Sequence, residues 1–163
     1  IKTDKSVKSE DLFGKKGTLI MFICNHCPFV KHVNQQIVQI AKDYQNSEIK
    51  LIAISSNDII NYPDDSPSEM KKVAIKENFI FPYLFDETQI VAKNYDAACT
   101  PDFFIFNNSK KLVYRGQLDD SRPGNNITVT GEDVRNALES LINFKEINPV
   151  QKPSIGCNIK WKN

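Results

Sequence analysis

Residues 18–33, TLIMFICNHCPFVKHV, join an apolar run, two cysteines three positions apart and the start of an amphipathic pattern. Residues 18–23 are almost continuously apolar, which suits a strand covered on both faces. From Pro28 onward, Val30, Val33, Ile37, Ile40, Ala41 and Tyr44 recur at helical spacing, so a helix is expected from Pro28 to about Gln45. IKLIAI, residues 49–54, reads as a second buried strand. Strand, helix, strand is a βαβ unit, whose strands run parallel with a right-handed crossover.

Farther along, SPSEMKKVAIKENF suggests a helix capped by Ser66, with Pro67 in its first turn and Glu69 closing a capping box. DETQIVAKNY repeats the pattern with Asp86 as cap and Gln89 at the third position, and PYLFD before it is a short extended piece. DFFIFNNSKKLVYRG is two apolar runs about a polar turn, an antiparallel hairpin pairing 103–106 with 112–115. A last helix follows, with a Thr130/Asp133 capping box and Val134, Ala137, Leu138, Leu141 and Ile142 on one face. The expected order is β-α-β-α-α-β-β-α, with an aperiodic tail from Asn148.

The chain has 163 residues, enough for one domain with a real core. Residues 1–147 are taken as the domain and 148–163 as a tail packed on it, anchored by Trp161. A net charge of +1, with 40% hydrophobic and 25% charged residues, leaves no field of one sign to draw nucleic acid or an anionic membrane. No apolar run approaches the roughly 18–20 residues of a membrane span. The chain begins at Ile1, so a processed form or a segment from inside a longer protein is expected. The compartment stays open between cytoplasm and export.

Cys24 falls where a buried strand meets a helix, so first-turn amides and the helix dipole are expected to stabilise its thiolate. Cys27, one turn on, lies within disulfide reach and is more covered. The roles separate: Cys24 attacks a disulfide and Cys27 resolves the mixed disulfide. A protonated His26 near Cys24 would favour the thiolate further. His32 is taken as a polar helix position. The competing readings are a metal (copper) carrier using Cys24, Cys27 and a histidine, or an inert pair. A closed zinc site needs four ligands, and Cys99 and Cys157 are singletons, so no metal ligand is assigned. Met70 and the aromatics Phe79, Phe81, Tyr83, Phe103, Phe104 and Phe106 are assigned to the core.

Strand, CNHC, helix, strand and a hairpin preceded by CTPDF resemble the thioredoxin-like fold. The longer stretch 57–98, with FPYLFDETQIVAKNYDA, DDSRPG and QKPSIGCNIKW, resembles its redoxin branch, the AhpC/TSA family, over about residues 15–163. The resemblance implies an α/β fold, a central mixed sheet flanked by helices, with a helix–strand insertion before a cis-proline loop at Thr100–Pro101. It implies that the Thr100 backbone binds an extended substrate peptide like an added strand. It places Gly116 at the rim of the substrate groove, with Asp119, Asp120 and Arg122 as a loop that shapes it. Cys99 would face the cysteine pair, and Cys99 and Cys157 become candidate auxiliary thiols. Three departures stand out. CNHC replaces the thioredoxin Trp-Cys-Gly-Pro-Cys; Thr18 stands where thioredoxins bury an acid; Ile20 and Cys24 stand where peroxiredoxins place the proline and threonine that activate their cysteine, which corresponds to Cys27. The last argues against an efficient peroxidase and leaves a weak thiol peroxidase as an alternative. The implied activity is thiol–disulfide exchange without a bound cofactor. The implied partners are protein or small-molecule disulfides and dithiols, plus an electron-exchange partner.

Overall fold

A five-stranded mixed sheet carries the chain, in the order β3 (Tyr83–Phe85), β2 (Ile49–Ser55), β1 (Gly17–Phe22), β5 (Asp102–Asn107), β6 (Leu112–Gly116). The computed structural model describes residues 6–162. β4, Cys99–Thr100, and β7, Cys157–Asn158, form a separate antiparallel pair. β1 runs parallel to β2 and antiparallel to β5, with Met21 opposite both Ala53 and Phe103. This central position explains why β1 is apolar throughout: every one of its residues is buried.

The period-two alternation of β1 divides the core between the two faces of the sheet. Leu19, Met21 and Ile23 join Val30, Val33 and Ile37 of helix α1 (Pro28–Tyr44) and Val134 and Leu138 of helix α4 (Glu132–Ile142). Ile20 and Phe22 face the other way, toward Ile52, Ile54, Phe104, Ala92 and Ile159. Helices α2 (Pro67–Lys76) and α3 (Ile90–Asn94) complete the chain. This is a thioredoxin-like α/β fold, and the expected strands, hairpin and helices are in place. Among the described residues no helix is long and apolar enough to cross a membrane.

The helix starts depart from expectation. Ser66 precedes α2 but makes no side-chain cap bond; its hydroxyl pairs with that of Ser68, and Glu69 turns to Lys72 at 2.6 Å. Gly131, not Thr130, is the cap of α4, and the Asp133 carboxylate accepts a bond from Gln117. The first-turn amides of Asp133 and Val134 go to the Leu118 carbonyl, while Asp119 accepts from Thr130 and Gly131 just before the helix, at 2.7 and 2.6 Å. Asp86 still serves α3, because its carboxylate accepts the Ala92 amide, but the helix begins only after Gln89.

Trp161 is not the tail's anchor. It is 41% exposed, with Lys93 over its ring. Ile159 is buried instead, and Gln89 donates to the carbonyls of Ser56 and Lys160 and accepts from the Lys162 amide.

Candidate active site

The CNHC loop connects β1 to α1. Helix α1 begins at Pro28, so Cys27 itself is the N-cap. The helix start serves both sulfurs, the Val30 amide meeting Cys27 and the N-cap amide of Cys27 meeting Cys24. Both cysteines are closed in, Cys24 at 2% and Cys27 at 0% exposure. Thr100 lies over both. Its hydroxyl is 3.3 Å from Cys24 Sγ, and its carbonyl accepts from Cys27 Sγ at 3.2 Å. The Thr100–Pro101 peptide is cis.

The two thiols share a proton, and the surroundings decide where the remaining charge rests. Cys27 is pulled down to about 4, above all by its hydrogen bond with the Cys24 side chain, against burial and with help from Cys157 and the Val30 amide. Cys24 moves the other way, pushed up by that same bond, by burial and by the negative charge of Asp65. The pair thus gives up one proton readily and the second with difficulty.

Asp65 is the residue that pattern reading missed. It is fully buried beneath the loop, between Pro63 and Pro67. One carboxylate oxygen accepts the amides of Asn25 (2.7 Å) and His26 (3.3 Å). The other meets His26 Nδ1 at 2.6 Å and the Asn57 side-chain amide at 2.7 Å. Asn25 also donates to the Asp64 carbonyl and accepts from Tyr83. His26 is thus tied to a carboxylate and stacked on Tyr62. Cys24, His26 and Asp65 hold their ligand atoms within 4.8 Å of one another. Four donors already occupy the Asp65 oxygens, so an ion there would have to displace the bonds that shape the loop.

The third sulfur at the site comes from the tail. β4 and β7 pair antiparallel, with Thr100 opposite Cys157. Cys157 Sγ lies 2.9 Å from Cys27 Sγ. Gly156 allows this approach, since a Cβ there would stand 2.1 Å from the Thr100 carbonyl oxygen. The tail strand therefore lies where an added peptide strand was expected along Thr100.

The AhpC/TSA family model matches residues 2–115. The chain belongs to the AhpC/TSA family. It is similar to an uncharacterized conserved protein from Geobacillus kaustophilus, at 59% identity over 96% of this chain and 82% of that one, with a TM-score of 0.94. A hypothetical protein from Sinorhizobium meliloti 1021 is 41% identical over 94% of this chain and 84% of the other, at a TM-score of 0.92. A secreted disulfide oxidoreductase from Mycobacterium tuberculosis shares the fold, with a TM-score of 0.60 at 14% identity, over 85% of this chain and 87% of that one. No curated protein matches the chain.

Within this family frame, the remaining expected residues sort by what they touch. Thr18, at the thioredoxin acid position, is buried and accepts the Gly14 amide. Cys99 is buried behind Pro101, and burial, then the charge of Asp102, pushes its thiol up to about 12. Gly116 is not an open rim. A Cβ there would meet the Lys152 carbonyl at 2.3 Å, and Ser154 of the tail donates to the Gly116 carbonyl. Asp119 is spent on the start of α4, and Asp120 pairs with Lys152 at 2.6 Å on the surface. Arg122 donates to the carbonyls of Asp119 and Ser121 and to the Gln117 side chain, and lines a small cleft with His32, Ser121 and Pro101. His32 bonds Ser121 at 2.8 Å, which ties α1 to that cleft. An acid pair held between two prolines, Pro63-Asp64-Asp65-Ser66-Pro67, was the available signal for Asp65.

Proposed function

We propose that the chain is a thiol–disulfide oxidoreductase that works through the Cys24/Cys27 dithiol–disulfide couple. The observation that carries this reading is the convergence of both CNHC sulfurs on Thr100. Cys24 is the attacking sulfur, because Cys27 is sealed by α1, Thr100 and Cys157. As Cys24 attacks a substrate disulfide, its proton passes to the Cys27 thiolate. A Cys24–substrate mixed disulfide forms, and one substrate thiol leaves. Cys27 then gives up that proton and attacks Cys24 Sγ, which closes the Cys24–Cys27 disulfide and releases the second thiol. Two electrons pass from the dithiol to the substrate, and the reverse sequence oxidises a dithiol.

The substrates fitting this reading are protein or small-molecule disulfides and dithiols, with an electron-exchange partner that resets the couple. Trapping tests it. Cys27→Ser should accumulate covalent adducts through Cys24 that a reductant releases, and Cys24→Ser should not. Equal trapping by both variants, or by neither, would sink the assignment.

A further inference from the structure

We infer that Cys157 is a third redox thiol, which takes the disulfide over from Cys24 by attacking Cys27. This rests on the Cys24/Cys27 reading. Three observations carry it. The Cys157 and Cys27 sulfurs stand 2.9 Å apart, held by a strand pair that sets Cys157 opposite Thr100. Gly156 lets that strand press against the Thr100 carbonyl where a side chain would not fit. Of the three sulfur-bearing residues only Cys157 is partly open to solvent, Cys24 and Cys27 both being buried.

The step balances without an added oxidant. The Cys157 thiolate attacks Cys27 Sγ of the Cys24–Cys27 disulfide. The Cys27–Cys157 bond forms as the Cys24–Cys27 bond breaks, and the electron pair leaves on Cys24 beside the Thr100 hydroxyl. The proton lost by Cys157 ends on Cys24. Cys157 is oxidised and Cys24 reduced, with no net change; the disulfide moves from a closed site to one that reaches the surface. In the dithiol state burial, and then the bond to Cys27, holds Cys157 up at about 11. Once Cys27 is bonded to Cys24 its negative charge is gone, and with it one cause of that rise. Because β7 already lies along Thr100, a dithiol partner meets Cys157 before it meets the buried pair.

Variants carrying Cys24→Ser and Cys99→Ser together keep only Cys27 and Cys157. Treated with oxidised glutathione, this protein should lose both thiols, gain no glutathione mass and yield a Cys27–Cys157 linked peptide. Closure should outrun glutathione capture at least about tenfold, since the second thiol is held in place. A folded double variant that ends as a glutathione adduct or a free dithiol overturns the proposal. Wild-type protein quenched in acid from a glutathione buffer gives a second reading: both Cys24–Cys27 and Cys27–Cys157 peptides are expected, and Cys24–Cys27 alone overturns it. Cys157→Ser separates the two claims. It should still close Cys24–Cys27; if it does not, the dithiol reading fails, whatever the double variant shows.

Discussion

At the scale of single residues, the chemistry turns on which sulfur the surroundings favour. The reduced pair gives up its first proton readily, and Asp65 works against a charge on Cys24. Thiolate absorbance against pH should therefore show a step well below the ordinary thiol value of 9.0. Cys27→Ser should abolish that step, because the remaining Cys24 keeps burial and Asp65 beside it. The same shift sets a stability profile. A depressed folded pKa stabilises the native state above the unfolded value, and that advantage is lost as pH falls through the folded one. Relative to Cys27→Ala, the reduced protein should gain stability as pH rises from about 4 toward 9.0. Beyond 9.0 the raised value of Cys24 reverses the trend. Urea unfolding at several pH values checks both arms. Asp65→Asn replaces an acceptor of four bonds by a group that must donate, so it should cost about 2–4 kcal/mol in the same assay. It should also make Cys24 easier to ionise, and an unchanged iodoacetamide profile would count against a role for Asp65 at that sulfur.

At the scale of elements, the two-residue strand β7 does more than its length suggests. It seats Cys157 beside Cys27 and covers the Thr100 edge. Gly156→Ala drives a Cβ into the Thr100 carbonyl, an overpacking that should cost about 1–3 kcal/mol. Since the clash is relieved by lifting β7, iodoacetamide should reach Cys27 several-fold faster in this variant. Loss of stability with no change in thiol access would mean that the loop moved and the tail stayed.

At the scale of the whole molecule, the tail is rooted in the core on the far face of the sheet from α1. Ile159 packs with Ile20, Phe22, Ile52, Ile54 and Phe104. Ile159→Ala should cost about 2–5 kcal/mol and also loosen the cover over the cysteines. Met70→Ala removes a comparable buried side chain of α2 from the other cluster, leaves the packing of Ile159 intact, and should cost similar stability with a smaller change in Cys27 alkylation. Parallel unfolding and alkylation measurements on the two variants separate global from local effects.

How much of this could be read in advance follows from the range of the forces involved. β1, α1, β2 and the hairpin were legible because burial on one or two faces writes a period into neighbouring residues. The CNHC pair was legible because its chemistry needs two thiols one turn apart. The cap of α4 was misplaced at Thr130 and neither capping box formed, though Ser66 does stand at the N-cap of α2, because a hydroxyl or carboxylate near a helix start has other partners in space. Lys72 took Glu69, and Gln117 took Asp133. Asp65 and Cys157 could not be assigned by local pattern. Each reaches the site across a long separation in the chain, Asp65 to Asn25 and Cys157 to Cys27. The sequence by itself determined a βαβ–hairpin frame with two thiols at its first crossover. Only the tertiary structure decided that a buried carboxylate holds His26 and the loop amides, that the two cysteines are closed in beneath Thr100, and that the chain's own tail pairs with the Thr100 edge. The reason is physical: secondary structure follows from patterns within a few residues, while charge, burial and strand pairing are settled by whatever the fold brings alongside.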